Sequence, residues 1–149
     1  MKLRINRSQS FLMSLFILLS SMVLICQALA ANDFKEISTE HLKTMMDNKV
    51  PFVLVDARTK EEYDEAHISG AINIPVKNFD DLKSLLPPDK SSLIVVYCNG
   101  VKCGKSRILT KKAAEVGYSN LLIYSEGFPV WEEKNMPIIA GPTYGEKVQ

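Results

Sequence analysis

The residues with chemistry to offer stand close together. Cys98 and Cys103 lie five positions apart in Val95-Val96-Tyr97-Cys98-Asn99-Gly100-Val101-Lys102-Cys103-Gly104-Lys105-Ser106. Gly100 and Gly104 let this loop curl its backbone N–H groups inward. A helix opening with Ser106 as its N-cap, ahead of Arg107-Ile108-Leu109, would aim its N-terminus at the middle. Together these make an anion cradle, with Lys102 and Lys105 beside it to attract a small anion. A thiol in such a cradle is expected to ionise readily, and the thiolate is the nucleophile. The competing reading is a strand-to-helix turn around an inert buried thiol.

The elements that must position the loop follow from hydrophobic pattern and punctuation. Residues 31–37 read as a lead-in. Ser38 or Thr39 caps a helix to about Asn48, with Leu42, Met45 and Met46 on one face. Phe52-Val53-Leu54-Val55 is a strand with no polar alternation, so both its faces are expected to be buried. It delivers Asp56-Ala57-Arg58 to its carboxyl end. Thr59-Lys60-Glu61-Glu62 is a capping box opening a helix to about Ala66. His67 to Gly70 reads as a turn, Ala71 to Ile74 as a strand and Asn78 to Leu86 as a helix closed by Pro87-Pro88. The strand Leu93 to Tyr97 leads into the loop. The helix beyond it runs to about Val116, with Gly117 past its end. Leu121 to Tyr124 is a further strand, and a short helix holds Trp131. Residues from Asn135 run out to a tail expected to be mobile. Short apolar strands alternating with helices predict an α/β fold with a parallel sheet covered on both faces. Ligands on such sheets bind beyond the carboxyl ends of the strands, where Asp56 and Cys98 both fall.

Of the 149 residues, the first 30 read as a secretory signal peptide. Lys2, Arg4 and Arg7 form its basic start, Phe11 to Ile25 is a run of 15 uncharged residues, and Ala28-Leu29-Ala30 offers small residues for cleavage after Ala30. The apolar run is short for a membrane span of about 20 residues, which disfavours the alternative of an N-terminal anchor. A lipoprotein at Cys26 is disfavoured by the bulky Ile25 before it. Residues 31–149 then form one domain carrying 15 basic and 17 acidic residues, a net charge of −2. That leaves no basic field for nucleic acid. Only Cys98 and Cys103 remain, too few and too close for a structural disulfide framework. With His41 and His67 the only histidines, no zinc set is expected.

Four pieces now stand in order. They are Leu54-Val55-Asp56-Ala57-Arg58, then Glu62 to Pro75 with the pattern E-x-x-x-x-H-I-x-G-A-x-x-I-P, then Val96-Tyr97-Cys98 with its loop. Last come Gly117-Tyr118-Ser119-Asn120 and Glu126-Gly127-Phe128-Pro129-Val130-Trp131. The chain resembles a single-domain rhodanese, and the resemblance covers nearly all of residues 35–139. It implies a central parallel sheet of about five strands flanked by helices on both faces. It also implies a sulfurtransferase. The thiolate of Cys98 takes the sulfane sulfur of thiosulfate or a related donor as a persulfide, then passes it to a thiol or to cyanide. The N–H groups of the cradle, from Asn99, Gly100, Val101, Lys102, Gly104, Lys105 and Ser106, stabilise the anionic persulfide. No metal or organic cofactor is implied. The expected partners are the small sulfur donor and a thiol acceptor, which can be a protein thiol. With the signal removed, no stable membrane anchor is expected and the periplasm is the expected location.

The loop also departs from the family. Five residues separate cysteine from serine in the resembling loops, and an arginine precedes the serine; here seven, Asn99 to Lys105, intervene and Lys105 takes the arginine's place. A wider loop is similar to that of the related cell-cycle phosphatases, which fits phosphate or arsenate. A lysine, however, offers a point charge and not a bidentate clamp, and Arg107 is expected to face away. Cys103 is a second departure. It is read either as a resolving cysteine that forms a loop disulfide with Cys98 or as a small loop residue without a role. A non-catalytic redox module built on that disulfide is the alternative function. Asp56 and Arg58 are expected to act structurally, Asp56 accepting backbone hydrogen bonds and Arg58 pairing with Glu62 or Glu65. His67 is expected to fasten a turn and not to serve as a base.

Overall fold

A computed structural model describes residues 34–141. The expected signal peptide and the end of the tail lie outside them. The described chain runs β1 (Lys35–Ile37), α1 (Thr39–Asp47), β2 (Val53–Asp56), α2 (Lys60–Glu65), β3 (Ala66–Ile68), β4 (Ile72–Asn73), α3 (Phe79–Leu82), β5 (Ile94–Tyr97), α4 (Lys105–Glu115), β6 (Leu121–Tyr124), α5 (Gly127–Glu133) and β7 (Ile138–Ala140). Five strands form one sheet in the order β1-β6-β5-β2-β4. Every pairing in it is parallel, with Asp56 beside Tyr97 and Tyr97 beside Tyr124. The expected parallel sheet of about five strands is therefore present, with β5 at its centre.

Apolar side chains leave both faces of the central strands, which explains their lack of polar alternation. On one face Leu54, Val95, Tyr97 and Tyr124 meet Leu42 and Met45 of α1 and Phe128 and Trp131 of α5. On the other, Val55, Ile94 and Val96 meet Leu109 and Ala113 of α4 and Phe79 of α3. Cys98 belongs to this second core.

Local signals decide most boundaries. The Ser38 hydroxyl accepts the His41 N–H at 3.2 Å and starts α1. Thr59 and Glu62 close the expected capping box on α2. Gly117, at φ +100, follows the end of α4.

Four expectations need correction. The lead-in contains β1, an edge strand too short and too charged to show a pattern. His67 and Ile68 lie in a strand and not a turn: β3 pairs antiparallel with β7, His67 opposite Ile139. That second sheet also takes in the chain after Pro137, which the sequence leaves as a run-out. The helix expected over 78–86 is one α-turn flanked by 3-10 turns at Val76–Asn78 and Lys83–Leu85. In that stretch only Phe79 and Leu86 are fully buried, so little tertiary packing supports a longer helix. Finally, α4 begins at Lys105, with Gly104 in left-handed backbone at φ 70 as its N-cap. Ser106 therefore lies inside the first turn and caps nothing.

Candidate active site

The chain leaves the carboxyl end of β5 at Cys98, which is 1% exposed. The turn before α5 holds this point from the other side. The Cys98 carbonyl accepts the Phe128 N–H at 2.9 Å. Gly127, at φ +75, passes so close that a Cβ there would stand 2.3 Å from the Gly100 nitrogen and 2.4 Å from the Cys98 oxygen. Glu126 in turn accepts the backbone N–H and hydroxyl of Thr39 at the start of α1. The floor of the loop is thus tied to two helix N-termini.

Within the loop, one carbonyl gathers both cysteines. The Gly100 oxygen accepts the Cys103 N–H at 2.9 Å, closing a turn over residues 100–103. The same oxygen lies 3.9 Å from Cys98 Sγ. Turning back in this way brings the Cys103 side chain against the Cys98 thiol, with which it interacts directly. Both thiols are free. Freed from capping, the Ser106 hydroxyl lies 3.3 Å from Cys98 Sγ.

The two thiols differ in environment. Burial pushes the Cys98 thiol up, and the Cys103 side chain adds to this against the opposing pull of Ser106. Burial also raises Cys103, but more weakly than the Cys98 thiol, the Lys105 and Asn99 N–H groups and the Lys105 charge lower it, so its net shift is downward. The expectation that a thiol in the cradle ionises readily matches the direction at Cys103 and not at Cys98. The half-buried Cys103 receives those N–H groups and carries the easier charge, while Cys98 sits deeper and keeps its proton longer.

Glu62 pins both sides of the loop to α2. Its carboxylate accepts the Asn99 side-chain amide and lies 3.4 Å from Lys105 Nζ. It also accepts the Thr59 N–H at 2.9 Å. Burial would raise its pKa, but these partners prevail and hold it at about 2. Lys105 is thus shared between the loop and a carboxylate. Val101 and Lys102 form the exposed tip, Val101 with 81% exposure. Neither lysine supplies a planar fork for an oxyanion. Arg107 turns away to Glu36, as expected.

Asp56 and Arg58 form the support beneath. Arg58 is paired with Asp56 at 2.6 Å, where the sequence pointed to Glu62 or Glu65. The reason is local: the chain folds back at the strand end and the Arg58 N–H itself donates to Asp56 Oδ1 at 2.9 Å. Tyr97 donates to Asp56 Oδ2 at 2.7 Å, and Arg58 reaches the Ala66 carbonyl at 2.7 Å. The Arg58 guanidinium lies 4.1 Å from the centre of the Phe128 ring. His67 is fastened away from the thiols, its Nδ1 2.8 Å from the Tyr63 carbonyl and its ring stacked on Tyr63 at 3.7 Å. Among the described residues no three His, Cys, Asp or Glu side chains gather as metal ligands.

Sequence reasoning overlooked Glu62 as a loop pin, because its place in the capping box already accounts for it. Gly127 and Asn73 were also missed. The side-chain amide of Asn73 bridges the Asp56 and Arg58 carbonyls, both at 3.1 Å.

A model of the rhodanese-like domain matches residues 38–134. The chain is 35% identical over 68 residues to the thiosulfate sulfurtransferase PspE of Escherichia coli, an alignment covering 45% of this chain and 62% of that protein, less than two thirds of its length. It is 29% identical over 118 residues to the thiosulfate:glutathione sulfurtransferase of Saccharomyces cerevisiae, covering 70% of this chain and 83% of that one. Among solved structures, the BH2092 protein of Bacillus halodurans superposes with a TM-score of 0.65 at 25% identity, covering 87% of this chain and 90% of that one.

Proposed function

The chain belongs to the rhodanese-like family, and from that membership we propose that it moves sulfane sulfur from thiosulfate or a related donor to a thiol or cyanide through a persulfide on Cys98. The observation that carries this reading is the place of Cys98: directly after the central strand, under the curled loop, with the Ser106 hydroxyl at 3.3 Å. In the first step the Cys98 sulfur attacks the outer sulfur of thiosulfate and sulfite leaves with the electron pair of the broken S–S bond. The persulfide then sits where the first N–H groups of α4 and the Ser106 hydroxyl favour negative charge. In the second step an acceptor takes the outer sulfur and Cys98 returns. Lys102 and Lys105 supply diffuse attraction for the donor anion.

Incubation with thiosulfate and cyanide tests this directly. Wild-type protein is expected to yield thiocyanate and to carry one added sulfur on Cys98 by peptide mapping. Cys98→Ser is expected to fall to background in both, and wild-type output from it would remove Cys98 as nucleophile.

We further propose that the chain is exported and acts in the periplasm, on the strength of the Lys2–Arg7 start, the apolar run and Ala28-Leu29-Ala30. N-terminal sequencing of the exported form is expected to begin at Ala31. A start at Met1 on a membrane-bound protein would favour an anchor instead.

A further inference from the structure

Cys103 has no part in the cycle above, yet the loop is built around it. Gly100 presents one carbonyl to the Cys103 N–H and to Cys98 Sγ, and the turn at 100–103 folds Cys103 back upon Cys98. Gly100 can do this because it holds φ +102, and its own approach to the Glu126 carbonyl leaves no slack for a side chain. The distances a disulfide requires are short, with Cα atoms about 4.4–6.8 Å apart, and a turned loop of this size is suited to them.

We infer that Cys103 resolves the Cys98 persulfide by forming a disulfide with Cys98 inside the loop, which makes the protein a donor-driven source of sulfide that a dithiol reductant must reset. The inference rests on the sulfurtransferase reading and adds a second outcome to it. One proton serves the whole sequence. Cys103 begins as thiolate and Cys98 as thiol. As Cys98 attacks thiosulfate its proton passes to Cys103, sulfite departs, and Cys98 carries the persulfide anion. Cys103 returns the proton to the terminal sulfur and becomes thiolate again. It then attacks Cys98 Sγ, the Cys98–sulfane bond breaks, and the terminal sulfur leaves as hydrosulfide with the electron pair. The two cysteines are oxidised to a disulfide and the sulfane sulfur is reduced to sulfide. An external dithiol reduces the loop disulfide by exchange and is itself oxidised to its disulfide. The exposure of Cys103 relative to Cys98 makes it the sulfur that the dithiol attacks, and releases Cys98 for the next turnover.

This differs from simple transfer in where sulfur ends. A large acceptor thiol must reach a sulfur held over a residue that is 1% exposed. Cys103 is already there. The environment of the pair agrees, since the Cys98 side chain and the Lys105 and Asn99 N–H groups favour charge on Cys103, and burial disfavours it on Cys98.

The test is a single turnover without acceptor. The full chain is reduced, freed of reductant under anaerobic conditions and given one equivalent of thiosulfate. Sulfite and sulfide are expected together, and peptide mapping after alkylation is expected to find a Cys98–Cys103 disulfide that is absent without thiosulfate. Cys103→Ser and Cys103→Ala lack the group that takes the Cys98 proton, so they are expected to take up sulfur more slowly than wild type and then to stop at a persulfide on Cys98, with sulfide at background. Sulfide at the wild-type yield from either variant overturns the inference. Adding a dithiol to spent wild type is expected to permit a second round. A wild type that stops at the persulfide with Cys103 open to alkylation overturns the inference, as does a disulfide that forms equally without thiosulfate. If neither wild type nor either variant takes up sulfur, and cyanide yields no thiocyanate, the sulfurtransferase reading fails and the inference falls with it.

Discussion

At the scale of the residue, the site is an arrangement of thiols governed by who donates to whom. The turn over residues 100–103 brings Cys103 to the Asn99 and Lys105 N–H groups, while Cys98 keeps the Ser106 N–H and hydroxyl. Glu62 makes that arrangement stable by binding Asn99 on one side and Lys105 on the other. Its effect is measurable through pH. The carboxyl is held at about 2 in the fold against an ordinary 4.5. A depressed folded value means the stabilisation is complete above about pH 4.5 and is lost as pH falls toward about 2. The urea midpoint of wild type is therefore expected to drop relative to Glu62→Gln across that window, the gap between them narrowing as the pH falls. Parallel curves would show that the Glu62 charge is idle. Both cysteines were legible as chemistry from their spacing, but which of them more readily carries charge was not, because that depends on which N–H groups a turn of four residues points inward.

At the scale of the element, the loop is positioned by contacts from helices remote in sequence. The turn at Glu126-Gly127 lies against residues 98–100, and it is anchored through Glu126 to the first residue of α1. Gly127 and Gly104 are both left-handed, but only Gly127 is also crowded. Gly104→Ala is expected to cost about 1–2 kcal/mol, the backbone penalty alone. Gly127→Ala adds a collision with main-chain atoms and is expected to cost roughly 2–5 kcal/mol. It should also abolish sulfur uptake on Cys98 in whatever fraction remains folded. Thermal and urea denaturation of the pair check the contrast, and equal costs would mean that the turn gives way readily. A glycine after a strand reads as a turn in any sequence. That this one faces a specific loop is invisible until the strands are set side by side.

At the scale of the whole molecule, a buried polar network ties strand ends and a helix together on one side of the sheet. Asp56 ends β2, Tyr97 ends β5, and Arg58 reaches across to Ala66 of β3 and under Phe128 of α5. Both charges of the pair are nearly fully buried, Asp56 at 0% and Arg58 at 3% exposure. Arg58→Ala leaves a buried carboxylate without its partner and is expected to cost about 3–5 kcal/mol, a large share of the 5–15 kcal/mol typical of a domain. Calorimetry is expected to show a single transition at a lower midpoint. An unchanged midpoint would show that water replaces the guanidinium at no cost. The sequence by itself determined the class of fold, the parallel order of strand and helix, the caps of α1 and α2, and Cys98 at a strand's carboxyl end. All of these follow from periodicity and local hydrogen bonding, which need no knowledge of neighbours. Only the tertiary structure decided that Arg58 pairs with Asp56, that residues 66–68 and 138–140 form a second sheet, that Ser106 faces a thiol instead of capping a helix, and that Cys103 lies upon Cys98. Each of those depends on segments meeting across the fold, on the chain folding back at a strand end, or on the curl of a loop, and none of these leaves a period in the sequence.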